Sequence, residues 1–252
     1  MLTLHDRSIA VALALTPAYN PTTGLLPYQY NAKQRKTVDA SNFIANIGFQ
    51  QPELIYLANL TRNDDDSRFR LGLDDRLVKI RSTIHSMARP FGDLYLTKVH
   101  SETGAANNTV SSMFGVATDF YYNMLRSYIQ LGRQDRSLLE MYSEAVEANV
   151  RMDLFKVMRS TTGQSHLYHR SYNTKTHLHN FGMDESGCLL GALFALGAQE
   201  LMRVNSPKHT LHWQLAVNIT ETCYYAANAT RTKMLPTEFM LNKVTDPEGY
   251  LT

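Results

Sequence analysis

The chain has 252 residues, 44% of them hydrophobic and 19% charged, which suffices for one large domain or two small ones. Lys and Arg number 25 against 23 Asp and Glu, a net charge of +2 that argues against a polyanion such as nucleic acid as the main ligand. Collagen-like and low-complexity classes are excluded by 13 Gly and 8 Pro, and no apolar run approaches the length of a membrane helix. In chain order, Ser8–Leu15 is an apolar stretch like the core of a signal peptide, but Asp6 stands where positive charge is wanted. A helix ending before Pro17 is the better reading, and Pro21, Gly24 and Pro27 then mark a loop. From Ser41 the pattern is helical, with Phe43, Ile44, Ile47, Leu54, Ile55 and Ala58 at three- and four-residue spacing. Pro52 either kinks that helix or begins a second segment. Residues 63–76, with Asp64, Asp65 and Asp66, are expected to be a solvated loop. Leu77, Ile80, Ile84 and Met87 form the stripe of the next helix, which Pro90 ends.

An extended stretch, Leu94–Val99, closes in a turn at Gly104. One helix then carries Tyr121, Tyr122, Leu125, Tyr128 and Ile129, and another carries Leu138, Leu139, Tyr142, Ala145, Val146 and Asn149, with Gly132 between them. Residues 160–180 are rich in Ser, Thr, His and Asn and read as a long loop, and two further helices occupy about 186–203 and 209–231. No stretch alternates long enough for a substantial sheet, so the fold class is all-α, built of antiparallel helix pairs. One segment, from Tyr128 to Glu147, is similar to a tetratricopeptide unit but has no copy 34 residues away, so a helical-repeat scaffold stays an alternative. The two cysteines, Cys188 and Cys223, match no zinc spacing; they are either buried thiols or one disulfide.

Several segments in order resemble glycoside hydrolase family 47, the class I α-1,2-mannosidases and the related mannosidase-like proteins of endoplasmic-reticulum degradation. Thr23-Gly24-Leu25-Leu26-Pro27-Tyr28 is similar to the family's Thr-Gly-x-Pro-Tyr loop, and Pro52-Glu53-Leu54 with Leu60-Thr61 to its Leu-Glu-Phe helix. Gly92-Asp93-Leu94-Tyr95 with Thr103-Gly104 resembles its Gly-Leu-Tyr and Thr-Gly loop, and Asp119-Phe120-Tyr121-Tyr122 its Asp-Ser-x-Tyr-Glu-Tyr-Leu helix. The last third matches best: Cys188 with Ala195-Leu196-Gly197-Ala198, Glu221-Thr222-Cys223-Tyr224, and Leu235-Pro236 with Glu238. The resemblance implies a single domain over residues 1–252 that forms part of an (α/α) helical barrel. It implies hydrolysis of terminal α-1,2-linked mannose on high-mannose N-glycans, in the lumen of the endoplasmic reticulum or Golgi. It also implies a calcium cofactor, although nothing around Thr252 matches the family's calcium-binding threonine segment. A relative without catalysis that binds glycans or glycoproteins is the alternative.

Inverting glycosidases place two carboxyl groups across the scissile bond, one protonating the leaving oxygen and one activating water. By resemblance Glu53 takes the acid position, where Leu54 and Ile55 lead one to expect partial burial. Asp119 takes the second carboxylate position and would also suit an N-cap. Glu238 takes the third, displaced by one residue. The family's Glu four residues after Asp119 is Asn123 here, its sugar-contacting Arg two residues before is Ala117, and its His after Met-Asp is Glu185. The resemblance further implies that Cys188 and Cys223 are bonded. Four sequons, headed by Asn59, Asn107, Asn218 and Asn228, agree with a lumenal chain; Asn59 and Asn107 lie outside the last predicted helices and are the candidate glycosylation sites.

Overall fold

The computed structural model describes residues 3–62, 71–87, 89, 94–159, 164–180 and 182–240. Among these, seven α-helices alternate with short strands: α1 (Leu4–Leu15), α2 (Ile44–Leu60), α3 (Leu73–Ser86), α4 (Thr118–Gln130), α5 (Arg136–Arg151), α6 (Glu185–Arg203) and α7 (His209–Ala229). The first helix starts on a capping box, in which the Thr3 hydroxyl accepts from the Asp6 amide while Asp6 accepts from the Thr3 amide. It stops at Leu15, and Thr16–Ala18 form a 3-10 turn with Pro17 inside it.

The helices form two curved layers. Gly48 of α2 lies against Phe120 of α4, and five residues on Glu53 meets Arg126, so α2 and α4 run parallel. Ser186, at the start of α6, accepts from the Gly115 amide at 2.5 Å, while Glu200 near its end binds Arg133 just past α4. Helix α6 is therefore parallel to both. The intervening helices run back outside them. Leu73 of α3 packs with Leu57 while Ile80 and Ile84 lie beside Ile47, and Tyr142 of α5 packs on Gly197 and Leu193. Residue 188 of α6 is joined to residue 223 of α7 and residue 191 touches residues 216 and 220, again antiparallel. The result is an arc of an (α/α) barrel, with α2, α4 and α6 as the inner layer and α3, α5 and α7 as the outer.

One continuous core lies between the layers. It contains Ile44 and Ile47, Ile80 and Ile84, Phe120, Tyr121 and Leu125, Leu138 and Tyr142, Leu190 and Phe194, and Leu215 and Ile219. Full burial of each such side chain stabilises by about 1.5–3 kcal/mol before conformational entropy is set against it. Two close approaches fix the spacing. A Cβ on Gly48 would stand 2.5 Å from the Phe120 Cα, and a Cβ on Gly197 would stand 2.1 Å from the Tyr142 Oη. Only a glycine fits at either crossing.

Short antiparallel ladders sit around the helix ends. Strands β1 (Gln29–Asn31) and β2 (Lys36–Asp39) pair, as do β3 (Ser41–Phe43) and β4 (Lys98–His100). Strand β5 (Val110–Ser111) pairs with β8 (Ser171–Asn173), which also pairs with β9 (Leu178–Asn180). Strands β6 (Phe155–Arg159) and β7 (Ser165–His169) make a hairpin, and β10 (Gly182–Asp184) pairs with β11 (Glu238–Met240).

Four local expectations need correction. Ser41–Phe43 are strand, not helix; the helix begins at Ile44, whose amide donates to the Thr97 carbonyl across the β3–β4 edge. Of the two readings of Pro52, a second segment is excluded: α2 runs unbroken from Ile44 to Leu60 with Pro52 inside it, and the Gln130 side chain donates to the Pro52 carbonyl at 3.0 Å. Leu73–Arg76, placed in a loop, are the first turn of α3. The segment 160–180 is not a long loop: β7, β8 and β9 occupy much of it, because His166, Tyr168 and Tyr172 are buried against the helices. Asp64–Asp66, Pro90, Gly92 and Asp93 lie outside the described residues.

Candidate functional site

The three inner helices each leave one stripe exposed, on the side away from the core. On α2 it reads Asn46, Phe49, Glu53, Tyr56 and Leu60; on α4, Asp119, Tyr122 and Arg126; on α6, Glu185, Leu189 and Ala192. The spacing is three and four residues throughout, which is one face of an α-helix. The stripes therefore lie side by side on the concave surface of the arc. Glu53 and Asp119 both belong to it.

Glu53 is not partly buried as its neighbours suggested: its side chain is 60% exposed. Ile55, two residues on, points into the core, and residues two apart on a helix face away from each other. The Glu53 carboxylate lies 3.7 Å from the Arg126 guanidinium. Both line a groove of about 560 Å³ with Tyr56 from α2, Tyr122 and Gln130 from α4, and Leu196 from α6. A second groove, of about 410 Å³ and mostly apolar, runs between α1 and α2 past Val11, Leu57 and Leu60. Glu53 stands on the ridge between the two.

Asp119 is exposed, in the first turn of α4. It is not the N-cap, which is Ala117 with no side-chain hydrogen bond. A carboxylate in a first turn still faces the positive end of the helix dipole. Asn123 turns the other way. It is buried, and its amide donates to the Asp119 carbonyl at 2.7 Å. Ala117 is fully buried as well.

Glu238 reaches the same end of the inner layer through strand pairing. It faces Asp184 in the β10–β11 ladder, and the Glu185 amide donates to the Thr237 carbonyl. Asp184 caps α6, accepting from the Gly187 amide at 3.1 Å and from Ser186 Oγ at 2.5 Å. Ser186 in turn holds the Gly115 amide, just before α4. Asp119, Glu185 and Glu238 thus gather where α4 and α6 begin. Glu53 lies further along the layer: Asp119 is level with Gly48, and five residues at 1.5 Å each put the Glu53 backbone about 7.5 Å further along the axis.

The buried imidazoles take no part in this face. His169 binds the Asn149 side-chain oxygen at 3.0 Å, and burial, with the charge of Arg170 adding to it, pushes its pKa down to about 3. Burial likewise pushes His212, hydrogen-bonded to Tyr142 at 2.9 Å, down to about 4. Both are neutral core groups. Cys188 and Cys223 are joined in a disulfide that staples α6 to α7. Asn59 and Asn107 are both exposed, the first near the end of α2 and the second after β4.

Calcium takes six to eight oxygen ligands, usually with several carboxylates. Among the described residues no group of three or more His, Cys, Asp or Glu could hold a metal ion. Those residues do not fit a protein-built calcium cage, and Thr252 lies outside them, so no residue is assigned to the metal and no step is derived through it.

The sequence pointed to Glu53 and Asp119 and missed Tyr56, Tyr122 and Arg126 as companions. The signal was present, since Tyr56 follows Glu53 by three, and Tyr122 and Arg126 follow Asp119 by three and seven, in phase with the carboxylates.

Comparison with known proteins gives one consistent picture. The family model for glycosyl hydrolase family 47 matches residues 2–250. The human mannosyl-oligosaccharide 1,2-alpha-mannosidase IC is 25% identical over 240 residues, covering 94% of this chain and 35% of that protein. The human endoplasmic reticulum mannosyl-oligosaccharide 1,2-alpha-mannosidase is 27% identical over 180 residues, covering 70% of this chain and 23% of its own length. This chain thus spans about a third or less of these relatives. Among solved structures, the alpha-1,2-mannosidase from Trichoderma reesei superposes with a TM-score of 0.77 at 17% identity, covering 96% of this chain and 47% of that one. The endo-beta-1,4-glucanase CMCax from Acetobacter xylinum superposes at 0.53 with 9% identity, a likeness of helical-barrel fold alone. No helix among the described residues is long and apolar enough to cross a membrane.

Proposed function

The chain belongs to glycosyl hydrolase family 47, and on that premise we propose that its concave face acts on terminal α-1,2-linked mannose of high-mannose N-glycans. Glu53 is the general acid. Its proton passes to the glycosidic oxygen as the bond from that oxygen to the anomeric carbon breaks. Of Asp119 and Glu238, at the other end of the face, one takes the proton of a water that the other orients, as the water oxygen bonds to the opposite side of the same carbon. The product sugar then has inverted configuration.

One observation carries the reading: Glu53 and Asp119 lie on the exposed stripes of neighbouring parallel helices and open onto the same surface. The disulfide and the exposed Asn59 and Asn107 favour a secretory-pathway lumen, with both asparagines as glycan acceptors. Thr61, the third residue of the Asn59 sequon, is buried with its hydroxyl bonded to the Leu57 carbonyl, so Asn59 would be modified before α2 packs.

Incubation of the folded chain with a high-mannose glycan and calcium, with free mannose measured and its anomeric form followed by NMR, tests the reading. Release of β-mannose first is expected. No release from protein with an intact unfolding transition, or release of α-mannose first, contradicts it.

A further inference from the structure

The pair formed by Glu53 and Arg126 is loosely closed. At 3.7 Å its separation exceeds the 2.7–3.2 Å of a direct N–H···O bond. Both side chains are more than half exposed, at 60% and 51%, so the pair adds little to stability. A carboxylate has about four acceptor sites and a guanidinium five donors, so both ends keep capacity for a ligand. Two exposed rings line the same groove, Tyr56 at 57% and Tyr122 at 43%. Acceptor, donor and aromatic faces are what a pyranose requires, with its hydroxyl edge and its apolar C–H face.

We propose that Arg126, together with Tyr56 and Tyr122, forms a sugar-binding subsite against Glu53. In it the guanidinium takes hydroxyls of one mannose residue beside the Glu53 carboxyl, and a tyrosine ring covers its C–H face. The identity of the sugar rests on the mannosidase reading; the site itself rests on the groove. It also accounts for a gap in the sequence. Ala117, which replaces the sugar-contacting Arg implied by the family resemblance, is fully buried and cannot reach the concave face. Arg126 lies about two and a half turns further along the same helix and presents a guanidinium to that face. Without Arg126 the sugar would lose its charged donor in the groove.

The test uses a thio-linked α-1,2-mannobiose, whose sulfur bridge resists hydrolysis, titrated into the whole chain and followed by backbone amide shifts in NMR. Shifts are expected at α2 and α4 around residues 53–56 and 122–130. Arg126→Met should weaken binding at least tenfold, Arg126→Lys should recover part of it, and Tyr122→Ala should weaken it severalfold. Arg136→Met, an exposed change on the outer helix α5, should leave it unchanged. The subsite is overturned if Arg126→Met binds as the unmodified protein does, if the shifts map elsewhere, or if no binding is seen. Mannose release is measured on the same samples with the oxygen-linked disaccharide. Arg126-dependent binding without release sinks the catalytic reading and leaves the subsite standing. Release with KM and binding indifferent to Arg126 does the reverse.

Discussion

The α6–α7 pair and the concave face of α2 and α4 belong to one fold but obey different rules. Between α6 and α7 everything is closed. The Cys188–Cys223 disulfide joins them, Gly191 lets the Thr220 hydroxyl approach, and Gly197 receives the Tyr142 ring, whose hydroxyl meets buried His212. Here too lie the segments around Cys188 and Cys223 that resemble family motifs. On the α2–α4 face, Glu53, Tyr56, Tyr122 and Arg126 line an open groove and are exposed to solvent. Packing constrains them little, whereas Asn123 and Ala117, two of the positions where the chain differs from the family pattern, are turned into the core.

That contrast can be broken from either side. The largest effect on stability is expected from opening the staple. Cys188→Ser with Cys223→Ser should lower unfolding free energy by about 3–4 kcal/mol, given a sequence separation of 35 between the cysteines. Urea titration measures it, and a loss under 1 kcal/mol would place the weight of this region elsewhere. Next comes Gly197→Ala, whose new Cβ must displace the Tyr142 ring. Overpacking of this kind costs about 1–3 kcal/mol, and Gly197→Ala should also lower the urea midpoint. An unchanged midpoint would mean the α5–α6 crossing is looser than the 2.1 Å approach implies.

Acid should act on the same region. Burial depresses His212 to about 4 and His169 to about 3, against 6.5 for a free imidazole. Between these values the unfolded chain binds the extra protons. Stability is then complete above about pH 6.5 and is lost as the pH falls toward 4 and below. Urea midpoints at pH 7 and pH 5 should show the fall, and a His212→Asn, His169→Asn variant, weaker at pH 7, should show less of it. The smallest stability effects belong to the concave face. Glu53→Gln and Tyr122→Ala should each shift unfolding by no more than about 0.5 kcal/mol, since both side chains are exposed. A shift above 1 kcal/mol in either would make that face structural.

Most of the helical layer was legible because its core stripes repeat at helical spacing. Leu77, Ile80, Ile84 and Met87 are all buried as their pattern required, and Gly132 ends α4 with φ of 65°. What escaped depended on partners distant in sequence. The β6–β7 hairpin has strands of five residues, and its Ser, His and Tyr composition reads as loop until the His166 ring stacks on Tyr225, 4.1 Å away, and Thr222 donates to the Leu167 carbonyl. Glu53 was misjudged by its immediate neighbours, when its phase with Tyr56 and Leu60 gave the right answer. Asp119 was read as suiting an N-cap, but the helix begins before it at Thr118, so it stands in the first turn and joins the concave stripe. Glu238 is brought to the start of α6 by a three-residue ladder with Gly182–Asp184, and no period in the sequence announces that pairing.

The central claim is that this exposed face, and Glu53 on it, carries the chemistry while the stapled helices carry the fold. Mannose release from a high-mannose glycan, compared between the unmodified chain and Glu53→Gln at equal folded concentration, tests it most directly. The account predicts release by the unmodified chain and a loss of at least about a hundredfold in Glu53→Gln, the usual contribution of a general acid, with matching urea midpoints. Equal release by the two proteins, or none from a folded unmodified chain, would contradict it.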